Sequence, residues 1–343
     1  MNHAAALLDE ILAPVAEVLA DPAVEDVAVN EPGAVWVRRS AWGRLEIPGF
    51  DFDALQAVAI LCCALRQHDI SRVSPMGGGD LHTGHRHQCV LPPAVPAGTV
   101  SLTFRKPSAA VAPIAEIPRR YGTAEWNKWE AQRTERRRDS ADLLALYDAG
   151  DVVAFMSAVV RTRRTPLICG ATGAGKSYLG KSLLAEVGGA ERIVTIEDAL
   201  EFVVRQPNRV RLLFGAGGEG AVTPAACLHA ALRMRPDRIP VQELREPYSA
   251  WLYLNEVSAG HPGSPTTIHG ETAADAARRL FTLLKGGPGA SISDDVLIGM
   301  MGAAIDCIVP ISADGSARNM GRVWFADHAA RQGSTMADLL RAA

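Results

Sequence analysis

The chain has no run of ~18 consecutive apolar residues, so nothing in it reads as a membrane-spanning helix. A secretory leader is not expected either, because Asp9 and Glu10 interrupt the first apolar residues. Its six cysteines, Cys62, Cys63, Cys89, Cys169, Cys227 and Cys307, contain no C-x-x-C pair, which speaks against a four-cysteine zinc module. Most sit in apolar runs and read as buried, reduced thiols. Charge of one sign is not in excess: 35 Lys and Arg face 38 Asp and Glu, a net charge of −3. That balance excludes bulk attraction to nucleic acid or anionic lipid as the basis of function. Repeats and low-complexity tracts are missing, apart from glycine-rich loops at 215–220 and 286–289. What remains is an ordinary globular composition, and 343 residues suggest about two domains at ~150 residues each.

Against these absences one stretch stands out. Gly170-Ala171-Thr172-Gly173-Ala174-Gly175-Lys176-Ser177 fits G-x-x-x-x-G-K-[ST], a phosphate-binding loop. Its flanks fit as well. Thr165 to Cys169 is a short apolar run, as a buried strand should be, and Tyr178 to Val187 has Leu179, Leu183, Leu184 and Val187 at helical spacing before Gly188-Gly189. Glycines let the backbone wrap an anion with its N–H groups pointing inward, and the helix dipole adds to that field. The expected nucleotide contacts are Gly170, Thr172, Gly173, Ala174, Gly175, Lys176, Ser177 and Tyr178. Lys176 would reach the β- and γ-phosphates of ATP, and Ser177 would ligate Mg²⁺.

The pattern predicts three regions. Residues 1–118 read as a small α+β domain, with helical spacing at Leu7 to Leu19 and Phe52 to Gln67. Short strands flank the turn Asn30-Glu31-Pro32-Gly33, and Val100 to Arg105 alternates as a strand does. Residues 119–150 are dense in charge and read as an interdomain linker whose segment 125–138 forms an exposed helix. From 151 to 343, apolar strands alternate with amphipathic helices, the signature of a mainly parallel sheet covered on both faces. The fold class expected is therefore α/β.

Two further strands end in acidic residues. Arg192 to Asp198 finishes in Glu197-Asp198, and Ile239 to Glu243 finishes in Glu243. In parallel sheets ligand groups collect at carboxyl ends of strands, so Glu197 and Asp198 are placed for Mg²⁺ or a lytic water. A helix cap or a surface acidic pair is the competing reading. Glu243 holds the place of a general base or water-positioning carboxylate. The arginines of Arg233-Met234-Arg235-Pro236-Asp237-Arg238 read either as phosphate contacts for a neighbouring subunit or as interface salt bridges. His261 and His269 share one polar segment, and His269 ends a short strand at the same edge, where a γ-phosphate sensor belongs. His82, His85 and His87 read as a polar hairpin rather than a metal tract.

In this order the pieces resemble the secretion ATPase superfamily, most of all the hexameric traffic ATPases of bacterial type IV secretion and conjugation systems. The resemblance rests on residues 170–177, on 192–198 (similar to an aspartate box), on 232–238, on Glu243-Leu244-Arg245 (a degenerate Walker B) and on 260–269 (a histidine box). Asn30 to Gly33, Leu91-Pro92-Pro93 and Phe104 to Pro107 extend it into the N-terminal region. It implies a RecA-like ATPase domain behind a smaller N-terminal domain, with ATP between them in a homohexameric ring. It implies Lys176, Glu197, Glu243 and His269 as catalytic residues, Arg105 as a contact from the N-terminal domain, and Ser177, Glu197 and Asp198 around Mg²⁺. It also implies docking on the cytoplasmic face of the inner membrane through partners such as a membrane ATPase and a coupling protein. Stable nucleic-acid binding is not expected. Gln242 departs from the family's usual glycine, and Pro240 and Pro265 interrupt strands that should be central. These departures leave a nucleotide-gated scaffold as an alternative to a motor, with a type II secretion or pilus motor as the near neighbour.

Overall fold

The structure, a computed structural model, describes residues 3–107, 113–116, 140–215, 222–257 and 260–342. The expected boundary near residue 118, the charged segment 125–138 and most of the glycine-rich loop 215–220 lie outside the described residues.

The N-terminal part is a six-stranded antiparallel sheet of order β3-β2-β1-β6-β5-β4. Its strands are β1 (Asp26–Val29), β2 (Ala34–Arg38), β3 (Trp42–Glu46), β4 (Met76–Asp80), β5 (Arg86–Val90) and β6 (Ser101–Arg105). Asn30 to Gly33 makes the β1–β2 turn, with Gly33 at φ +84°. Helices α1 (His3–Leu12) and α2 (Phe52–Ala64) cover one face of this sheet, and Leu8, Leu55, Val58, Cys62, Cys89 and Phe104 fill the core between them. Asp51 caps α2 by accepting from Ala54 N–H at 2.8 Å. The single helix expected over residues 7–19 is split by a 3₁₀ turn at Ala13–Val15, because Pro14 cannot donate to the helical ladder.

The C-terminal part is mainly parallel. Strands β7 (Pro166–Cys169), β8 (Ile193–Glu197), β9 (Arg209–Leu213), β10 (Thr266–Ile268) and β11 (Cys307–Asp314) run in one direction. The strand expected at Ile239 to Glu243 sits between β8 and β10, yet it makes only isolated bridges, Ile196 to Val241 and Val241 to Thr266. The reason is visible in its bonds. Val194 N–H donates to Arg238 O, Ile196 N–H to Pro240 O and Gln242 N–H to Ile196 O, but Pro240 has no N–H to return. Strands β12 (Ala317–Met320) and β13 (Trp324–Phe325) add antiparallel to β11. Helices flank both faces, among them α3 (Val152–Arg161), α4 (Lys176–Ala185), α5 (Pro224–Leu232) and α6 (Ala273–Lys285). Thr223 and Pro224 start α5 as the sequence suggests, the threonine accepting from Ala226 N–H at 3.1 Å. Residues 140–149 are helical and join this domain's core: Leu143 packs with Phe155, and Tyr147 Oη donates to Val323 O at 2.6 Å.

The two parts dock through buried polar contacts. Arg192 is fully buried and donates to Asn30 Oδ1 at 2.9 Å, to Met234 O and to Asn208 Oδ1, with its guanidinium 5.3 Å from the Trp42 ring. Burial pushes its pKa down to about 10, which still leaves it charged at neutral pH. Val90, Ala94 and Val95 continue the C-terminal core, and Leu213 N–H donates to Ala94 O at 2.8 Å.

Leu55 is fully buried between α2 and the N-terminal sheet. Leu55→Ala is expected to cost about 2–5 kcal/mol, read as a lower urea midpoint at unchanged slope.

Candidate phosphate-binding site

Because β7, β8, segment 238–242 and β10 are parallel, their carboxyl ends share one edge. The loop after β7 opens that edge. Gly173 and Gly175 adopt φ +79° and +102°, where a side chain is strained by about 1–2 kcal/mol, so the glycines of the motif are required by the backbone path. A Cβ at Gly170 would fall 2.4 Å from Ile311 O, so that glycine lets β11 lie close. Lys176 opens α4 and is largely buried, its Nζ 2.9 Å from Gly170 O and 3.1 Å from Ala171 O. Burial lowers its pKa, and Glu243 opposes that shift. Ser177 lies in the first turn of α4, half-buried. Thr172, Gly173 and Tyr178 are exposed, Ala174 is buried, and Gly175 is half-buried.

Glu243 is the hub of the edge. Its Oε2 accepts from Arg245 Nε at 2.9 Å, and Arg245 Nη2 lies 2.8 Å away. His269 Nε2 lies 3.0 Å from its Oε1. Arg245 Nη1 also donates to Asp198 Oδ2 at 2.8 Å, linking the ends of two strands. The structure thus brings together Lys176, Asp198, Glu243 and His269.

Glu197, expected to meet Mg²⁺ or a lytic water, turns inward instead. Its side chain is fully buried and takes five donors. Thr195 Oγ1 and Arg211 Nε reach Oε1 at 2.6 and 2.9 Å, while Arg211 Nη2, Glu201 N–H and Phe202 N–H reach Oε2 at 2.7, 3.0 and 2.8 Å. Both oxygens are spent inside the protein, so Glu197 fastens β8 to β9 and to the turn that follows.

Arg105 is not gathered with Lys176 either. It lines a cavity of about 610 Å³ with Arg66, Arg86 and Arg233, and Asp80 is the one carboxylate among its lining residues. The arginines of the 233–238 stretch divide: Arg233 faces this cavity, Arg235 lies 3.4 Å from Asp26, and Arg238 is buried with Glu191 on Nε and Nη2, each at 2.9 Å. His261 is also apart from His269, with Nδ1 3.0 Å from Pro236 O.

Three contributions were not read from the sequence. Arg245 bridges two acidic strand ends. Gln242, which stands where the family usually has glycine, turns to β8 and accepts from Asp198 N–H at 2.8 Å. Arg318, on β12, lies beside the loop: a Cβ at Gly175 would be 3.8 Å from its Cδ. Nothing local marks Arg318, since only the fold brings β12 to the loop.

Residues 136–298 match the family described as Type II/IV secretion system protein. The chain is 42% identical over 334 residues to Protein VirB11 of Rhizobium radiobacter, covering 96% of this chain and 97% of that protein. It is 34% identical to the type IV secretion system protein VirB11 of Bartonella quintana, over 90% of each. The crystal structure of the VirB11 ATPase from the Brucella suis type IV secretion system, in complex with sulphate, superposes with a TM-score of 0.86 at 30% identity, covering 96% and 97% of the two chains. The chain belongs to the VirB11 family. It is thus a type IV secretion ATPase with the fold of that family. Among the described residues no helix is long and apolar enough to cross a membrane.

In this VirB11-family chain the two acidic strand ends separate by experiment. Glu197→Gln is expected to lose about 3–5 kcal/mol of stability, because the Arg211 charge stays partly buried without its partner. Nucleotide affinity of the folded fraction, measured by fluorescent ATP titration, is expected to remain at the wild-type value.

Proposed function

We propose that this chain binds ATP with Mg²⁺ at residues 170–177, hydrolyses it, and works as a homohexameric motor of a type IV secretion system. The observation that carries the reading is the convergence of Lys176, Glu243, His269, Arg245 and Asp198 at one sheet edge. Lys176 holds the β- and γ-phosphate oxygens, leaving Gly170 O and Ala171 O for them. The backbone N–H groups of 173–177 and the amino end of α4 meet the same charge. Glu243 holds the attacking water in line, and His269, 3.0 Å from that carboxylate, faces the γ-phosphate. The residues present fit a hard divalent cation: the Ser177 hydroxyl and the Asp198 and Glu243 carboxylates are oxygen donors at adjoining ends. Mg²⁺ held there would supply positive charge against the charge that develops on the phosphates in the transition state.

Arg105 acts across a boundary in this reading. The cavity of Arg66, Arg86, Arg105 and Arg233 offers cations that meet phosphate when domains or neighbouring subunits close on one another. The ring docks at the cytoplasmic face of the inner membrane through secretion-system partners, a membrane ATPase and a coupling protein among them, and without stable nucleic-acid binding.

Steady-state ATPase activity with mass measurement tests the proposal. Wild-type protein with Mg²⁺ is expected to form a hexamer and turn over at roughly 1 s⁻¹ or more, a barrier of about 17 kcal/mol. Lys176→Ala is expected to abolish turnover and ATP binding. Glu243→Gln is expected to retain binding and lose turnover by ~10²-fold or more. A hexamer that binds ATP without turnover would make the chain a nucleotide-gated scaffold. Arg105→Ala is expected to lower kcat by ~10³-fold with little change in ATP affinity. Equal loss in both would make Arg105 structural.

A further inference from the structure

Outside the phosphate edge, three metal-ligating side chains meet in the N-terminal domain. Cys63 stands in the last turn of α2, and His87 and Cys89 alternate along β5 and so share its inner face. Their ligand atoms all lie within 4.8 Å of one another, and all three residues are buried. Zn–S bonds of about 2.3 Å place two tetrahedral ligand atoms roughly 3.8 Å apart, so a small contraction completes the geometry. Cys62 supplies a further thiol, buried in the same core cluster as Cys63 and Cys89.

Two observations set this cluster apart from ordinary packing of buried thiols. His87 is 3% exposed, and among the described residues neither ring nitrogen finds a partner of hydrogen-bonding geometry; the polar group that faces it is the Cys63 thiol. An imidazole so buried is costly unless something takes its lone pair or its proton. The second observation lies in the facing strand. Gly77 and Gly79 stand opposite Cys89 and His87 in the β4–β5 register. A Cβ at Gly77 would fall 2.4 Å from Cys63 Sγ, and one at Gly79 would fall 3.3 Å from His87 Cε1. Glycine at both positions keeps the space around the thiol and the ring clear.

We propose that Cys63, His87 and Cys89 form a site for a soft-to-borderline divalent metal of the zinc class, with Cys62 beside the fourth position. Sulfur with imidazole selects zinc over the oxygen-seeking Mg²⁺ of the phosphate edge. Two S–H groups release their protons to solvent as two S–Zn bonds form, and the neutral imidazole donates its lone pair. His87 also walls the arginine cavity. The site ties α2 to the β4–β5 hairpin that carries Arg86.

The test uses the tag-free full-length chain. Mass spectrometry of the metal is expected to give one zinc per chain, and Co²⁺ replacement is expected to give a thiolate-to-cobalt charge-transfer band. His87→Gln and Cys89→Ser are each expected to weaken Zn²⁺ affinity by ~100-fold or more in chelator competition. Cys227→Ser, in α5, is expected to keep the wild-type stoichiometry and band. Wild-type protein that takes up neither metal in stoichiometric amount would overturn the proposal whether or not the variants fold. So would a cobalt spectrum without thiolate character.

Discussion

The carboxylate of Glu243 carries the greatest constraint in the C-terminal domain. A parallel sheet delivers its strand ends to one edge, and here two of those ends bear acids with little room to separate. Arg245 resolves the repulsion by pairing with both Asp198 and Glu243, and His269 closes the other side of Glu243. Lys176 and Arg245 then balance Asp198 and Glu243 in charge. A triphosphate entering this balanced edge brings several negative charges of its own. The backbone donors of the loop meet part of that excess, and Arg318 stands close enough to meet more. The remainder calls for a divalent cation and for arginines from elsewhere, which is the electrostatic reason a shared site suits this edge better than a self-contained one.

Two glutamates that read alike in sequence have opposite fates. Glu197 and Glu243 both end apolar strands, and both were placed at the phosphates. The difference is the neighbouring strand. In the parallel register Thr195 stands opposite Arg211, which turns the guanidinium onto the face where Glu197 lies. Segment 238–242 has no such neighbour, because Pro240 loosens its ladder and leaves Glu243 to the open end. Register between distant strands is not written in local pattern, so the sequence offered both acids and could not choose.

The same division explains what else was legible. The loop 170–177, the turn 30–33, the cap at Thr223 and the parallel alternation are local, each fixed by residues within a few positions. The break at Pro240 was legible for the same reason, since a missing N–H is a property of the residue itself. Arg105 was placed by family resemblance at the nucleotide, whereas the fold collects it with Arg233, just past α5, and with Arg86 of β5. Cys63 and His87 are 24 positions apart on a helix and a strand, so the histidine tract 82–87 gave no sign of its thiol partners. That tract splits in the structure: His82 reaches Asp9, His85 reaches Leu19 O, and His87 alone turns inward.

The N-terminal sheet has two unlike faces, and this bears on how a motion of the nucleotide edge spreads. Val90 packs into the C-terminal core, while Cys89, the preceding residue, packs beneath α2. Arg86 stands in register with Arg105 on β6. Strands β4 and β5 therefore connect three things: the C-terminal core, the arginine cavity and the thiol cluster. Packed sheets shift as units rather than deform residue by residue, so charge gathered on the arginines would move the hairpin as a body. Arg192 limits that motion, because its buried bonds to Asn30 and Asn208 hold the β1–β2 turn against the C-terminal domain. The Arg192 bonds and the packing of Val90 thus hold two separate parts of the sheet to the C-terminal domain.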